Sequence, residues 1–188
     1  MSEIAWWADL RGEDIPVNAW GVPHYDVEAV ADFIDPIIRG TVLDLGCGPG
    51  RLGHTLARRH PEAKIYGLDI SATMLEMSRK NAPDTWVPYL ADGVSIPDRE
   101  FDAVYCVTVF QHLEHALCVK YIEQIWERLA PGGDLMFTYA IGNEDTFLSH
   151  QTSTDLVFTW LDNAGFNTYA ELITPEAHPN WNWMVARK

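Results

Sequence analysis

The sequence lacks a long apolar run, a cysteine framework and a recognisable leader segment. No stretch approaches the roughly 20 apolar residues that a membrane span requires. The N-terminal residues contain neither the basic part nor the apolar part of a secretory signal. The three cysteines form no closely spaced pair, and their odd number argues against a disulfide framework or a zinc knuckle. We therefore expect a cytoplasmic protein with no membrane partner.

Positive charge is also scarce. Asp and Glu total 27 residues against 13 Lys and Arg, which gives a net charge of −14. Basic residues occur at most in adjacent pairs, whereas binding to a phosphate backbone depends on clustered cations. We expect no nucleic-acid partner, and the acidity is ordinary for a protein whose charge serves solubility.

What the sequence does contain fits one α/β domain. The 188 residues suit a single domain spanning residues 1–188, of which 47% are hydrophobic. Residues 1–40 predict a flap and a lead-in helix over Val27–Ile38, and residues 41–188 predict the core. In the flap, Trp20 and Tyr25 either pack against the core or fold over a bound ligand.

The core alternates between short apolar runs and helical patterns. The runs predict strands over Thr41–Leu45, Lys64–Leu68, Trp86–Leu90, Phe101–Val109, Asp134–Ala140, Phe166–Ile173 and Trp181–Ala186. Helices are predicted over Arg51–His60, from a Ser71 cap through Asn81, over Ala116–Leu129, and over Thr154–Ala164 with Gly165 as its cap. This alternation predicts a doubly wound parallel sheet with helices on both faces. The last two strands should pair as an antiparallel hairpin, with Trp181 and Trp183 packing in the core or at the sheet edge.

A glycine-rich turn follows the first strand. The chain there reads Asp44-Leu-Gly46-Cys-Gly48-Pro-Gly50. Glycines at alternate positions let the backbone turn tightly and approach a ligand where a Cβ would collide. In a doubly wound sheet, ligands bind beyond the carboxyl ends of the strands. Asp44 can either fix this turn or accept a hydrogen bond from a cationic group.

Two more carboxylates follow the next two strands. Asp69 ends the second strand, where a carboxylate can accept hydrogen bonds from both hydroxyls of a ribose. Asp92 follows the third strand, where it can accept from an adenine amino group, and Gly93 lets the base lie against the chain. Three acids on three consecutive strand ends indicate one ligand of nucleoside size.

Five segments together resemble the class I S-adenosylmethionine-dependent methyltransferases of the small-molecule type. The resemblance runs from about Thr41 to Ala140 and rests on VLDLGCGPGRLG, YGLDIS, LADG, FDAVYCVTVFQHL and LAPGGDLMFTYA. It implies a Rossmann-like seven-stranded sheet of order 3-2-1-4-5-7-6 with strand 7 antiparallel. It also implies methyl transfer from S-adenosylmethionine to a small organic acceptor, at O, N or C.

The resemblance also implies where this cofactor binds. Asp44, Gly46, Gly48 and Gly50 would contact its methionine part, and Asp69 its ribose, while Ile70, Met74 and Asp92 would surround the adenine. The other residues that the resemblance places at the cofactor are Tyr25, Cys47, Arg51, Ala91, Gly93 and Val107.

The acceptor side is less clearly marked. A sulfonium methyl group is already activated, so alignment and exclusion of water suffice and no metal is expected. His112, just past the fourth strand, is either a general base or a structural residue. The Asn/Asp-Pro-Pro-Tyr/Phe signature of methyltransferases acting on adenine or glutamine is missing at this place. Short insertions after the fifth strand predict either an open pocket for a bulky acceptor or a pocket completed by a partner chain, as in a homodimer.

Other functions remain open at this stage. A protein or RNA acceptor is one, and a cofactor-binding regulatory subunit without turnover is another. A nicotinamide-dependent dehydrogenase is a third, because Gly48 to Gly53 satisfies G-x-G-x-x-G and Asp69 follows at a fitting distance. Three features argue against a dehydrogenase. Asp44 and Gly46 precede the motif, where a dinucleotide fold has its glycines directly after the strand. Asp92 and the closing hairpin have no role in such a fold.

Overall fold

The strands form one sheet. The computed structural model describes Ala5, Ala8, Asp9 and residues 26–141, 150–172 and 181–188, with Trp181 described by its backbone alone. Its strands are β1 (Thr41–Leu45), β2 (Lys64–Asp69), β3 (Trp86–Leu90), β4 (Phe101–Cys106), β5 (Leu129–Ala140), β6 (Thr168–Leu172) and β7 (Trp181–Arg187). They lie in the order β3-β2-β1-β4-β5-β7-β6, and β7 runs antiparallel to both of its neighbours. The predicted fold class and strand order are confirmed.

Three of the five helices described below begin at a residue whose side chain caps the first turn. The five are α1 (Val27–Ile34), α2 (Arg51–Arg59), α3 (Ala72–Ser78), α4 (His115–Arg128) and α5 (Thr154–Ala164). The Ser71 hydroxyl accepts from the backbone N–H of Met74 at 3.3 Å, so the predicted N-cap is confirmed. Gly165 ends α5 with a φ of +109°, which glycine adopts without strain. Within the described ranges, no helix has the length and apolarity needed to cross a membrane.

Helices cover both faces of the sheet. On one face, alternate strand residues such as Leu43 and Val104 pack against α4 and α5. On the other face, their neighbours Val42 and Ala103 pack against α1, α2 and α3. Central strands buried on both faces explain the near-continuous apolar runs of the sequence. Trp183 is buried beside the ring of Phe33, as expected of core packing, whereas the side chain of Trp181 lies outside the described residues.

The end of β4 differs from the prediction. The apolar run predicted a strand through Val109, but β4 ends at Cys106. Thr108 has a φ of +59°, a conformation that a β-branched residue rarely adopts. Its N–H donates instead to the Thr138 hydroxyl of β5 at 2.8 Å. The chain therefore leaves the sheet at the edge where ligands of this fold class bind.

Other boundaries also shift. The strand predicted over Asp134–Ala140 begins earlier, because β5 starts at Leu129, which pairs with Phe101 across an irregular register. The helix over Val27–Ile38 is shorter than predicted because a 3-10 turn with Pro36 follows Ile34. The helix after Ser71 ends at Ser78 rather than Asn81, whose φ is +55°.

Candidate functional site

The glycine loop, Gly46–Gly50, lies tightly against the end of β2. The N–H groups of Gly46 and Cys47 both donate to the carbonyl of Leu68, at 2.7 and 3.0 Å. A Cβ on Gly46 would collide with the side chain of Val109, so only glycine fits there. Gly50, with a φ of +81°, is the N-cap of α2. The loop thus joins β1 to α2 in a single tight turn.

Asp69 ties this loop to the start of α3. Its Oδ2 accepts from the N–H of Gly48 at 2.8 Å, and its Oδ1 accepts from the N–H of Ser71 at 2.8 Å. Burial raises the pKa of Asp69, although these two backbone donors oppose the rise. A carboxylate has about four acceptor positions, so it can accept further hydrogen bonds. Gly48, with a φ of +53°, has open space where a Cβ would point.

Asp44 lies beneath the loop in a buried position. It pairs in register with Gly67 on β2 and with Tyr105 on β4. Only 4% of Asp44 is exposed, and its Oδ2 has no hydrogen-bond partner among the described residues. Burial raises the pKa of Asp44 to about 7, the Tyr105 hydroxyl partly opposes that rise, and the charge of Asp69 adds to it. An anionic Asp44 would thus favour a cationic or hydrogen-bond-donating partner at this point.

The indole of Trp86 forms one wall of the Asp44 environment. A Cβ on Gly67 of β2 or on Gly53 of α2 would collide with this ring. His54 contacts it edge-on, with ring centroids 5.2 Å apart. Trp86 was not among the predicted site residues. A glycine inside a strand, such as Gly67, was the available signal, because it often marks a close approach by another group.

The segment after β3 is held from two sides. The N–H of Ala91 donates to the carbonyl of Asp69 at 2.8 Å. Asp92 is exposed, and its Oδ1 accepts from the N–H groups of Val94 and Ser95 at 2.9 and 2.7 Å. These bonds lower the pKa of Asp92, so it is ionised at neutral pH. Gly93 turns the chain with a φ of +84°.

The other predicted cofactor residues belong to the same edge of the sheet or to the helices that start there. Ile70 and Met74 flank the start of α3, Arg51 is the first residue of α2, and Val107 follows β4. Met74, Val107 and Cys47 are buried, while Ile70 and Arg51 are half-buried. Tyr25 lies outside the described residues. The structure thus gathers the predicted residues that it describes, and their contact with a cofactor stays a prediction.

Two histidines near the end of β4 have different surroundings. His112 is half-buried in a 3-10 turn, with its Nε2 3.4 Å from the Gln111 Nε2. His115 begins α4, where its Nε2 is 3.1 Å from the Thr152 hydroxyl and its ring packs against Trp160. These contacts give His115 a structural role. In the described parts of the chain, no group of three or more His, Cys, Asp or Glu residues could hold a metal ion.

The comparison with known families agrees with this geometry. A family model described as a methyltransferase domain matches residues 42–133, about half of the chain. The chain belongs to the class I S-adenosylmethionine-dependent methyltransferases. The matched range contains the glycine loop and all three carboxylates. Membership of this family argues against the dehydrogenase that the glycine spacing alone left open.

Individual relatives of this methyltransferase differ in length. The trans-aconitate 2-methyltransferase of Methylobacterium radiotolerans is 40% identical over 95 residues, which cover 50% of this chain and 35% of that protein. The ubiquinone biosynthesis O-methyltransferase of Erwinia tasmaniensis is 26% identical over 182 residues, which cover 94% of this chain and 72% of that protein. The chain thus spans about a third of the length of the first relative.

A solved structure supports the fold over the whole chain. The magnesium protoporphyrin IX methyltransferase of Synechocystis, crystallised with bound S-adenosylmethionine, superposes with a TM-score of 0.76. The match covers 100% of this chain and 98% of that one at 19% identity. At this identity the likeness shows the shared fold.

Replacing Asp44 by Asn should stabilise the ligand-free methyltransferase at high pH. The ionised carboxylate is disfavoured in the fold, since its pKa rises from 3.8 to about 7. The gain in unfolding free energy of Asp44→Asn over wild type should be absent below pH 4. It should grow with pH by at most about 1.4 kcal/mol per unit until pH 7 and then level off. Urea unfolding of wild type and Asp44→Asn at pH 4, 6 and 8 measures this difference in unfolding free energy.

Asp92→Asn is the matched control for this experiment. Asp92 is exposed and its pKa is lowered, so its ionised form favours the fold and its replacement should give no gain at pH 8. Parallel pH profiles for wild type and Asp44→Asn would show that the Asp44 carboxylate is not destabilised by its burial.

Proposed function

We propose that this methyltransferase binds S-adenosylmethionine at the carboxyl edge of β1 to β3 and methylates a small organic acceptor. The acceptor atom is a nucleophilic O, N or C. The observation that carries the proposal is the Asp69 carboxylate, which is bonded to Gly48 of the glycine loop and to Ser71 at the start of α3. The Asp69 carboxylate is thus a hydrogen-bond acceptor beside Gly48, where the backbone turn is open.

The residues at this edge fit the parts of the cofactor. The Oδ2 of Asp44, which has no hydrogen-bond partner among the described residues, suits the ammonium group of the methionine part. The remaining acceptor positions of Asp69 suit the two ribose hydroxyls. The exposed carboxylate of Asp92 suits the amino group of adenine. Open space beside Gly48 leaves room for a ligand to approach the backbone.

The chemistry needs little from the protein beyond position. When bound, S-adenosylmethionine supplies a methyl group on a positively charged sulfur, which an aligned nucleophile can take directly. The chain contributes the tight glycine loop, which fixes the cofactor end of the site. It also contributes the apolar Val107, which limits water near β4. His112 accepts the proton that an O–H or N–H acceptor loses.

The size of the acceptor follows from charge and relatives. The net charge of −14 disfavours RNA, because a polyanion needs clustered cations. Relatives named for trans-aconitate and for ubiquinone biosynthesis support a small acceptor. The proposal includes a cytoplasmic location, supported by three buried thiols outside any disulfide. The acceptor pocket is either open or completed by a partner chain, as in a homodimer.

Replacing Asp69 by Ala should weaken both S-adenosylmethionine and S-adenosylhomocysteine by about 10- to 100-fold. Two ribose hydroxyls lose a charged acceptor, and the Gly48 N–H loses its partner. Asp69→Asn should lose less, because its amide oxygen can keep one of the backbone bonds. Titration calorimetry with both ligands measures these affinities.

Glu76→Ala, an exposed acid on α3, is the matched control and should bind like wild type. NAD should not bind. Wild-type protein that binds NAD but not S-adenosylmethionine would refute the proposed function.

Replacing His112 by Ala should lower turnover by roughly 10²- to 10⁴-fold while cofactor affinity stays nearly unchanged. The loss should shrink as pH rises, because the acceptor then ionises without help. A screen of phenols, carboxylates and amines with labelled cofactor first supplies the substrate. The pH dependence of the rate in wild type and His112→Ala then provides the test.

His115→Gln is the control here, because His115 is bonded to Thr152 and packed on Trp160. It should lower thermal stability without changing the pH profile of the rate. A His112 variant that loses cofactor binding in proportion to activity would place His112 in the cofactor site instead. Cofactor binding without turnover across the screen would indicate a regulatory subunit. Transfer of the label to protein or RNA would show that the acceptor is a macromolecule rather than a small molecule.

A further inference from the structure

We propose that Gln124 of α4 is a positioning residue that sets the affinity and selectivity for the adenine end of the cofactor. It does so by clamping the adenine segment, Asp92–Ile96, from α4. The inference rests on the proposed function, since it assumes that Asp92 meets the adenine. Gln124 is 28 residues from Ile96 along the chain and belongs to a different element.

The clamp consists of both ends of one side-chain amide. The N–H of Ile96 donates to the Gln124 Oε1 at 3.2 Å. The Gln124 Nε2 donates to the carbonyl of Val94 at 2.8 Å and to the carbonyl of Lys120, one turn earlier in α4, at 3.2 Å. Because Ile96 offers only a donor and Val94 only an acceptor at these points, the orientation of the amide is fixed. One side chain therefore pairs with the segment much as a neighbouring strand would.

Asp92 holds the same segment through hydrogen bonds within the turn. Its Oδ1 accepts from Val94 and Ser95, so the N–H of Val94 is bound to Asp92 and its carbonyl to Gln124. Ile96 is 5% exposed and packs in the core against α4. With both backbone groups of Val94 bound and Ile96 buried, the turn that carries the Asp92 carboxylate has a defined direction.

This arrangement connects Gln124 to one end of the cofactor only. The methionine and ribose positions are built from the glycine loop, Asp44 and Asp69, which belong to β1 and β2 and the chain that follows β1. Over the described ranges, none of the hydrogen bonds of Gln124 reaches them. Without the clamp, the adenine segment would have to be ordered when the ligand binds, and that entropy cost would weaken binding. The loss should therefore depend on what the adenine ring offers to Asp92.

Two variants and two ligands test the clamp. Gln124→Ala removes both bonds to the segment, whereas Gln124→Glu keeps an acceptor for Ile96 and loses the donor to Val94. S-adenosylhomocysteine carries the 6-amino group, and S-inosylhomocysteine carries an oxygen in its place. Gln124→Ala should weaken S-adenosylhomocysteine by about 5- to 30-fold. It should weaken S-inosylhomocysteine less, so the preference for adenine falls. Gln124→Glu should likewise lower the preference for S-adenosylhomocysteine over S-inosylhomocysteine.

Glu123→Ala, an exposed neighbour on the same helix, is the matched control and should keep wild-type affinities. Amide exchange of Val94, Ser95 and Ile96 in the ligand-free protein should speed up in Gln124→Ala and not in the control. A general loss of stability would weaken both ligands equally and leave the preference unchanged.

The outcomes separate the two proposals. Variants that bind S-adenosylhomocysteine with an unchanged preference, beside a wild type that binds it, overturn the clamp and leave the proposed function standing. A wild type that binds neither ligand overturns both. A reduced preference together with faster exchange in the adenine segment supports the clamp.

Discussion

The site depends on one carboxylate that joins two strand ends. Asp69 accepts from Gly48 and from Ser71, at 2.8 Å in each case, so the loop after β1 and the helix after β2 share one anchor. Without this anchor, the loop would keep the bonds of Gly46 and Cys47 to Leu68, but Gly48 would lose its contact with β2. The same carboxylate is the group expected to hold the ribose. Loop shape and the proposed ribose binding therefore rest on a single side chain, which would couple them.

Packing beneath the loop imposes a second constraint. The indole of Trp86 occupies the space over Gly67 and Gly53, and both positions must lack a side chain for it to fit. Asp44, held in register with Gly67, is thereby buried among aromatic groups, and its Oδ2 has no partner in the part of the chain that the structure describes. Burial raises the pKa of Asp44 to about 7, because the ionised carboxylate is disfavoured at this buried position. A cationic ligand group beside Asp44 would relieve that cost, so the buried carboxylate favours binding of a cation.

The family resemblance implied the sheet order, and the alternation of strands and helices predicted a parallel sheet. Parallel strands place their carboxyl ends at one edge, so the strand assignment put Asp44, Asp69 and Asp92 at that edge. Features that depend on distant pairings were not predictable. The Thr108 turn needs the Thr138 hydroxyl from β5, and the Gln124 clamp needs α4 docked beside the adenine segment. Trp86 was missed although Gly67, a glycine inside a strand, was a usable signal. The expected contact of Tyr25 with the cofactor stays a prediction, because Tyr25 lies outside the described residues.

The central claim is that Asp69 holds the ribose while it keeps the glycine loop in place. A crystal structure of the protein with S-adenosylhomocysteine tests this most directly. The account predicts both ribose hydroxyls within hydrogen-bond distance of the Asp69 carboxylate, with the bond from Gly48 retained. A ribose that contacts other residues, or a Gly48 N–H that leaves Asp69 when the ligand binds, would contradict it.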